Sequence, residues 1–549
     1  MKQLFLLFSF LPLMLCAQTK VTPILPLPEH IEYQEETYLF PQELRVYIGQ
    51  ATPTFRYMKT ELETRFGIRV KQVQQQEAAD FILLNTSRNS QSEAYILTIK
   101  STNIEIQADS ETGLFYALQS LFQLMEAATG QESPIQISAQ RITDAPRFGW
   151  RSFMLDEARF FKGEAEVLRL LDMMAQLKMN VFHWHLTNDQ GWRIEIKKYP
   201  LLTEIGSKRK DSQSGGFNST TFIGEPHEGF YTQDQIRRIV AYTKERHIKV
   251  VPEIEMPGHA SAAIASYPWL GSSDEEIEVP TRFGKLYSVY NVIDPRVQAF
   301  LKDVVSEVID LFQCDVIHIG GDEVRFNQWE ENPVIAAYKK KKGFTSFMDV
   351  QIEFTNYMSR FIQERGCSMM GWNEILGKNL HKDDNITFAD PSQKIASNVV
   401  VQFWKGDLNE MKKAAESGYR LVNSFHSYTY LDYSYEDIPL RKAYEFEPIP
   451  QGLPLKYKKN IIGIGAQMWG EFIPTVERMN EQLYPRIAAL AEVAWSNRKS
   501  NYDDFLSRLV LVKERWKSLG IQIKNATIYF IVPTIVYNEW LGFNMPICV

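Results

Sequence analysis

Residues 316–324 read VIHIGGDEV. A mostly apolar run from Val316 to Ile319 predicts a buried strand, two glycines end it, and Asp322 and Glu323 follow at once. In a barrel of parallel strands, the carboxyl ends of the strands carry the chemistry. Two adjacent acids repel each other's charge, so one tends to stay protonated near neutral pH and can serve as a general acid. A solvated turn without a chemical role has the same composition, so both interpretations stay open here.

The chain from Trp150 onward repeats the order strand, loop and helix. Continuous apolar strands that alternate with amphipathic helices predict parallel pairing, and eight such units predict an α/β fold, a closed (β/α)8 TIM barrel, over residues 147–500. The predicted strands are Arg151–Asp156, Asn180–Leu186, Lys249–Glu255, Val316–Gly320, Met369–Trp372, Val399–Trp404, Arg420–Ser424 and Ile462–Trp469. The predicted helices include Glu164–Met179, Thr232–His247, Val297–Leu311, Thr345–Arg365 and Met479–Ser496.

The N-terminal part has a different pattern, which predicts a small α+β accessory domain over residues 20–140. Alternating runs at 93–99 and 104–108 predict strands, and residues 112–126 predict an amphipathic helix. Residues 129–146 are rich in Gly, Pro, Ser and Gln and predict a linker. Residues 501–549 are expected to form a C-terminal helix and tail, so the length of 549 residues is divided among more than one domain.

The first residues are typical of an export signal. A lysine precedes an apolar run from Leu4 to Leu15, and Cys16-Ala17 offers a small residue for cleavage, so we predict a signal peptide over residues 1–17. The protein is then expected to be periplasmic or extracellular, and a lipid anchor at Cys16 is the alternative to simple cleavage. The run is too short to span a membrane, and polar residues and prolines interrupt the apolar stretch from Ile528, so no membrane span is predicted.

The composition narrows the class of function. A net charge of −7 provides no basic footprint for nucleic acid. After removal of the signal, Cys314, Cys367 and Cys548 remain, an odd number without close spacing, which predicts neither a disulfide framework nor a zinc site. Phe, Trp and Tyr make up 13% of the chain, which favours sugar binding, although most such residues in any protein belong to the core.

Each predicted strand carries a polar or aromatic group that we assign to the site. Barrel interiors are filled mainly by branched aliphatic residues, so such a set favours a binding face. Together the indoles, the arginine and the carboxylates are the inventory of a glycosidase. The groups are Arg151, His183–Asp189, Glu253–His259, Asp322-Glu323, Trp372–Glu374, Gln402–Trp404, Tyr430 with Asp432, and Trp469–Glu471.

Five segments, spread over the chain and in order, resemble the β-N-acetylhexosaminidases of glycoside hydrolase family 20. They read WRSFMLD from Trp150, FHWHLT from Phe182, PGH from Pro257, HIGGDE from His318 and MWGE from Met468. The similarity extends over about residues 20–520, since the N-terminal domain also resembles the accessory domain of that family. The resemblance implies hydrolysis of an N-acetylhexosamine-containing oligosaccharide or glycoconjugate, without a metal or other cofactor.

The resemblance also implies substrate-assisted retaining catalysis and a role for each matching residue. Glu323 is expected to be the general acid, and Asp322 to orient the substrate's acetamido group, whose carbonyl oxygen is the nucleophile. Tyr430 is expected to hydrogen-bond that oxygen, and Trp372, Trp404 and Trp469 to form the pocket walls. Arg151, Asp432 and Glu471 are expected to hold the sugar hydroxyls. The supporting residues Asp189 and His259 are expected to lie behind Glu323, although many members of the family have two acids where this chain has Asn188-Asp189.

Three other functions are compatible with parts of the pattern. A metal-dependent hydrolase on the same barrel could use histidines 183, 185, 259 and 318 with Asp322. A glycan-binding protein without catalysis would have the same tryptophans. A conventional glycosidase needs a second acid about 5 Å across the sugar from the first, for which Glu255 and Glu374 are candidates. The segment from Ser207 to Phe230, with its Gly, Ser and Asn residues, is predicted to form a mobile loop at the rim of the pocket.

Overall fold

The computed structural model describes residues 22–48, 52–129, 134–377, 391–497, 501–521 and 523. The predicted signal peptide and the apolar tail from Ile528 lie outside the described residues. Within the described part of the chain, no helix combines the length and the apolar character that a membrane crossing requires.

The N-terminal residues form one seven-stranded mixed sheet with two helices. The strand order is β1-β7-β5-β6-β4-β2-β3, and β4 pairs in parallel with both β2 and β6. The elements are β1 His30–Leu39, β2 Glu43–Ile48, α1 Pro53–Arg65, β3 Arg69–Val73, β4 Phe81–Asn85, β5 Tyr95–Ile99, β6 Ile104–Ala108, α2 Glu111–Ala128 and β7 Gln136–Asp144, with a short 3-10 turn at Gln76–Ala78.

The linker predicted over residues 129–146 is wrong in its C-terminal half. Strand β7 lies there, between β1 and β5 in the sheet. Ile137, Ala139 and Ile142 are buried, so a period of about two was present in the sequence beneath a composition typical of a loop. The accessory sheet therefore extends to Asp144, beyond the boundary predicted at residue 140.

The next elements close a barrel of eight parallel strands in the order β16-β17-β18-β19-β20-β21-β8-β9. The predicted (β/α)8 barrel preceded by a small α+β domain is therefore confirmed. The barrel strands are β8 Trp150–Asp156, β9 Val181–His185, β16 Lys249–Glu253, β17 Val316–His318, β18 Ser368–Trp372, β19 Val400–Phe403, β20 Arg420–Asn423 and β21 Ile461–Met468. Short strands of the loops are β10 Thr187–Asn188, β11 Gly191–Trp192, β12 Lys208–Arg209, β13 Gln213–Ser214, β14 Thr221–Phe222 and β15 His227–Glu228.

The remaining helices lie between the barrel strands or follow the last of them. They are α3 Glu164–Gln176, α4 Leu201–Glu204, α5 Gln233–Glu245, α6 Ser261–Ser266, α7 Pro295–Phe312, α8 Asn327–Glu331, α9 Pro333–Lys342, α10 Phe347–Glu364, α11 Leu408–Glu416, α12 His426–Thr429, α13 Leu440–Tyr444, α14 Leu455–Lys458, α15 Val476–Leu483, α16 Arg486–Trp495 and α17 Tyr502–Ser518, with 3-10 turns at Pro268–Leu270 and Asn373–Leu376.

The single helix predicted over Met479–Ser496 is two helices, α15 and α16. Pro485 separates them, because proline cannot donate the backbone hydrogen bond that an uninterrupted helix requires. Tyr484 before it has extended backbone angles, which proline imposes on the residue that precedes it.

The assignment of Arg151 to the sugar site is wrong. Arg151 stands near the start of β8, at the end of the barrel opposite the carboxyl ends, and its side chain is 0% exposed. Its guanidinium donates to both carboxylate oxygens of Glu93 in the accessory domain (2.8 and 3.0 Å) and to the Tyr116 hydroxyl (3.1 Å). It also donates to the carbonyls of Phe148 and Lys178 (both 2.7 Å). Arg151 therefore joins the two domains and has no donor left for a substrate.

Candidate active site

A sharp turn after β17 presents the paired acids. Gly320 and Gly321 have φ of +67° and +90°, and Glu323 itself has φ of +51°, in the left-handed region that non-glycine residues rarely adopt. A Cβ on Gly320 would lie 1.6 Å from a carboxylate oxygen of Glu255, and a Cβ on Gly321 would lie 2.7 Å from Ile375. Both glycines are thus required by conformation and by space, and the turn that they allow places Asp322 and Glu323 at the mouth of the barrel.

The pocket at this mouth has a volume of about 520 Å³, within the usual range for small-molecule sites. Most residues predicted for the site lie on its surface, although they come from five separate strand ends. These residues are His259, Asp322, Glu323, Trp404, Tyr430, Asp432, Trp469 and Glu471.

Asp322 is buried, and no described residue donates a hydrogen bond to its Oδ1 atom. Burial, followed by the negative charges of Glu255, Glu374 and Glu323, raises the pKa of Asp322 well above its usual value, against the opposing charge of His259. Since buried polar atoms are normally paired, an unpaired carboxylate oxygen that faces a pocket indicates a ligand donor at that position. Such a donor would also favour the charged form of Asp322.

His259 and Asp189 form a buried pair behind the two acids. His259 Nδ1 is 2.8 Å from Asp189 Oδ2, and its Nε2 is 3.7 Å from Asp322 Oδ2 and 3.8 Å from Glu323 Oε2. Ser261 fixes the other Asp189 oxygen through its backbone N–H and its hydroxyl. Burial disfavours charge on His259, yet its hydrogen bond to Asp189, with the nearby carboxylates, raises its pKa to about 10. A positive imidazolium therefore faces both acids, and the pair does not depend on a second acid at Asn188.

Arg159 is the arginine of the pocket, and sequence reasoning missed it. It lies in the loop after β8, where Asp156 Oδ2 (3.1 Å) and Gln190 Oε1 (3.1 Å) accept from its guanidinium. Its Nη2 is 3.6 Å from Glu471, and its guanidinium carbon is 5.1 Å from the ring centre of Trp469. The position of Arg159 after the strand could have identified it, because residues at the start of a parallel strand lie at the end of the barrel opposite the site.

Glu471 and Asp432 share the side of the pocket that holds Arg159. Burial and the proximity of Glu471 raise the pKa of Asp432 well above its usual value. Burial likewise raises the pKa of Glu471, against the opposing charge of Arg159. Strands β17 and β21 are four places apart in the ring of eight, so Glu323 and Glu471 face each other across the mouth. A sugar between them would meet acids at both ends.

Three aromatic rings form the apolar wall. Trp404 and Tyr430 are nearly parallel, with ring centres 5.9 Å apart, and Tyr430 is 6.1 Å from Trp469. The Trp404 indole N–H donates to Glu374 Oε2 at 2.9 Å, which fixes the plane of the ring. Trp372 does not form part of the wall as predicted. It is 0% exposed, lies behind Trp469 at 5.6 Å, and donates its indole N–H to Glu253 Oε1 at 2.8 Å.

Neither proposed alternative nucleophile reaches the pocket surface. Glu255 is buried beside His185, with its Oε1 3.2 Å from His185 Nε2, and its backbone N–H donates to Thr187. Glu374 is buried and accepts the hydrogen bond from Trp404. Since neither belongs to the lining of the pocket, the geometry disfavours a conventional two-carboxylate mechanism.

The histidines of the metal hypothesis lie in the barrel interior, beneath the pocket. His183, Glu253 and His318 offer ligand atoms within 4.8 Å of one another, as do His185, Glu253 and Glu255. However, His183 Nε2 is 2.7 Å from Glu253 Oε2, and His318 Nδ1 is 2.8 Å from Glu253 Oε1. Both distances are shorter than the separation of about 3.3 Å that tetrahedral zinc imposes on its ligands. His259, the remaining histidine, is paired with Asp189 instead.

Prolonged dialysis against a chelator is therefore expected to leave activity unchanged. The distances from His183 and His318 to Glu253 are too short for shared zinc coordination, and none of His183, His185 and His318 lines the pocket. The check is kcat/KM before and after dialysis, with metal analysis of both samples. Activity that is lost on dialysis and restored by zinc would contradict this account of the site.

The family models match nearly the whole described chain. "Glycosyl hydrolase family 20, catalytic domain" matches residues 148–498, and "Glycosyl hydrolase family 20, domain 2" matches residues 21–145. The chain belongs to glycosyl hydrolase family 20. The two matched segments meet between β7 and β8, so the accessory sheet and the barrel correspond to the two family domains.

Named relatives agree with the family 20 assignment. The chain is 34% identical to a beta-hexosaminidase of Porphyromonas gingivalis over 78% of this chain and 54% of the relative's length. It is 32% identical to a beta-hexosaminidase of Vibrio furnissii, over 85% of this chain and 76% of that protein. Among solved structures, the exo beta-N-acetylglucosaminidase of Vibrio harveyi in complex with N-acetylglucosamine has a TM-score of 0.79 at 29% identity, covering 92% of this chain and 78% of that chain. The chain thus spans little more than half of the Porphyromonas relative.

An Arg151→Met variant tests the structural role of this residue. Loss of the buried guanidinium removes the ion-pair partner of Glu93 and a donor to the carbonyls of Phe148 and Lys178, so the free energy of unfolding should fall by about 3 kcal/mol. The kinetics of the folded variant should not change, because Arg151 is remote from the pocket. Thermal unfolding and steady-state kinetics check both points, and an increased KM with normal stability would restore Arg151 to the sugar site.

An Asp189→Asn variant tests the buried pair with His259. The variant should lose about 3 kcal/mol of stability at acid pH, because a buried imidazolium loses its partner. The folded pKa of His259, about 10, lies above its ordinary value of 6.5, so its contribution is complete below pH 6.5 and is lost as pH rises through about 10. The difference in unfolding free energy between the two proteins should therefore shrink over that interval. A difference that is independent of pH would show that His259 carries no charge in the folded protein.

Proposed function

We propose that the protein is an exo-acting, retaining β-N-acetylhexosaminidase that releases terminal β-linked N-acetylglucosamine or N-acetylgalactosamine from glycans. One observation carries the proposal. Asp322 presents an unpaired, buried carboxylate oxygen to the pocket, directly beside Glu323 and opposite an aromatic wall. A sugar with an acetamido group supplies the N–H donor that this oxygen lacks, whereas a sugar with a hydroxyl at C2 presents a shorter and differently directed group.

The sugar ring is held between two sets of groups. Glu323 on one side reaches the glycosidic oxygen, while Arg159, Asp432 and Glu471 on the other bind hydroxyls at the non-reducing end through charge-assisted hydrogen bonds. Trp469 and Trp404 contact the apolar faces. Charged groups that bind hydroxyls fill the far side of the site. The site therefore accepts the end of a glycan chain, which is the physical basis of exo action.

The first chemical step breaks the glycosidic bond. Glu323 donates its proton to the leaving oxygen, and the acetamido carbonyl oxygen of the substrate forms a bond to C1 as the leaving group departs. The product is an oxazolinium ion, whose positive charge is shared between nitrogen and oxygen. Asp322 accepts the hydrogen bond of the acetamido N–H, and the positive charge of the oxazolinium ion favours the carboxylate form of Asp322.

The second step reverses the first with water as the acceptor. Glu323, now a carboxylate, removes a proton from a water molecule as the water oxygen bonds to C1 and the oxazolinium ring opens. Two inversions at C1 retain the β configuration. The raised pKa of His259 favours its positively charged form, which offsets the mutual repulsion of the two acids.

A panel of three aryl glycosides tests the proposal. The aryl β-glycosides of N-acetylglucosamine and N-acetylgalactosamine should be cleaved, and the plain glucoside should not. The ratio of the first two measures preference at C4, where the charged residues around Arg159 make contact. Equal cleavage of the glucoside would contradict the assignment.

The site of action of the protein is also a proposal. Residues 1–17 have the charged start, the apolar middle and the small residue of an export signal, so we place the mature enzyme in the periplasm or outside the cell, with a lipid anchor at Cys16 as the alternative. Cell fractionation with mass analysis of the mature N-terminus tests this. A chain that begins at Gln18 supports cleavage after Ala17, and a retained Met1 contradicts export by cleavage.

A further inference from the structure

The outer half of the pocket is lined by other residues than the half that holds the paired acids and Arg159. Phe217, Phe283 and Phe472 line it together with Gly284 and Lys285, and none of these residues matches the motifs of the resemblance. Phe217 is 56% exposed, so much of its ring is accessible at the edge of the pocket.

The three phenylalanines form one continuous aromatic edge. The rings of Phe217 and Phe472 are 5.0 Å apart with an interplanar angle of 81°, and those of Phe283 and Phe472 are 5.6 Å apart at 85°. Phe283 is buried, so it supports the other two from behind. Phe472 follows Glu471 directly, which makes this edge continuous with the sugar-binding half.

Phe217 belongs to the rim insertion, and the insertion is held in place. The buried side chain of Gln213 donates to the carbonyls of Phe217 (3.0 Å) and Ser219 (2.8 Å), and it accepts from the backbone N–H of Phe283 (2.9 Å). The Gln213 backbone N–H donates to Thr281 (2.8 Å). The composition predicted a mobile insertion, but the hydrogen bonds of Gln213 hold the insertion in place. Phe217 therefore lies at a defined position.

The general acid identifies which part of a substrate meets this edge. Lys285 Nζ lies 3.9 Å from Glu323 Oε1, so Lys285 and the adjoining Gly284 lie beside the general acid. Because Glu323 must contact the leaving oxygen, the group beyond that oxygen lies against this segment. Gly284 has φ of +103°, and a Cβ built on it would be 3.7 Å from the Phe217 ring, so the segment beside Glu323 adjoins the aromatic edge.

We propose that Phe217, supported by its edge-to-face contact with Phe472, forms a stacking platform for the sugar ring on the leaving-group side, so that the substrate is a glycan whose second residue presents an apolar C–H face. The proposal rests on the proposed function and deepens it. A pyranose ring buries its C–H face on an aromatic ring while its hydroxyls stay in water, and such packing needs an exposed ring held in a fixed orientation. Phe217 meets both requirements.

A comparison of two substrates isolates the platform. The β-linked disaccharide of N-acetylglucosamine carries a second ring, and the methyl β-glycoside of N-acetylglucosamine has a leaving group too small to reach Phe217. In Phe217→Ala, kcat/KM for the disaccharide should fall about 10-fold, mainly through KM, while kcat/KM for the methyl glycoside stays unchanged. Phe472→Ala should show the same selectivity, and Phe217→Trp should restore the activity on the disaccharide.

Controls separate this inference from the proposed function. Tyr33→Ala removes another exposed aromatic side chain, on the accessory sheet, and should alter neither substrate. Thermal unfolding of Phe217→Ala should equal that of the unaltered protein, since the ring is mostly exposed. Equal losses on both substrates, or no loss on either, would overturn the platform. Failure of the unaltered protein to cleave either substrate would instead overturn the proposed function.

Discussion

Replacement of Glu323 by Gln is expected to lower kcat/KM for an unactivated disaccharide by about 10²–10⁴-fold. The amide has nearly the shape of the acid but cannot donate a proton to the leaving oxygen, and an unactivated sugar leaves poorly without that proton. An aryl glycoside with a strongly electron-withdrawing ring needs less assistance, so its cleavage step should fall far less. Rapid-mixing kinetics with both substrates measure the two losses.

The control for this variant is Glu278→Gln, which removes an exposed acid paired with Lys210 outside the pocket. Glu278→Gln should keep the activity of the unaltered protein on both substrates. If Glu323→Gln retained full activity on the disaccharide, another residue would have to donate the proton. The pocket contains three other acids, Asp322, Asp432 and Glu471, and each would then become a candidate.

Replacement of Asp322 by Asn should lower kcat by about 10²–10³-fold, with poor and good leaving groups alike. Attack by the acetamido oxygen precedes or accompanies departure, so a better leaving group does not compensate for a misplaced nucleophile. Asparagine can still accept a hydrogen bond from the acetamido N–H, but it offers no negative charge to the oxazolinium ion. The pattern across leaving groups thus distinguishes Asp322 from Glu323.

The pH dependence provides a second measurement on Asp322. Burial and the neighbouring acids raise its pKa above the ordinary value of 3.8 in the empty pocket, and its role requires the carboxylate. The acid limb of kcat/KM reports the free enzyme, so activity should decline with falling pH well before pH 3.8 is reached. That limb should be absent or displaced in Asp322→Asn. An acid limb unchanged in the variant would assign it to another group.

Much of the fold followed from periodicity. The eight strand runs were apolar enough to be recognised without pairing information, and their order along the chain implied parallel neighbours. Strand β7 was missed because glutamines and serines of residues 129–146 resemble a loop, although its buried positions alternate. The break at Pro485 was visible in the sequence, since proline in a helical pattern separates two helices.

Sequence patterns identified the site residues that follow a strand. They did not identify residues whose role depends on contacts across the barrel. Asp322 and Glu323 were identifiable because they follow two glycines at a strand end, whereas Arg151 was misassigned because it precedes most of its strand. The depth of a side chain below the mouth cannot be read from spacing, so Trp372 and Trp469 looked equivalent. Phe217 depends on Gln213, a contact within an insertion for which no periodic signal exists.

In the proposed mechanism, the acetamido group of the substrate is the nucleophile. The most direct test is kcat/KM for a series of aryl N-acyl-β-glucosaminides in which the acyl methyl carries no, one, two or three fluorine atoms while the leaving group stays the same. Fluorine withdraws electrons from the carbonyl oxygen, so the account predicts a steep fall in kcat/KM with each added fluorine. Values that do not change along the series would contradict it, because the carbonyl oxygen would then form no bond in the rate-determining step.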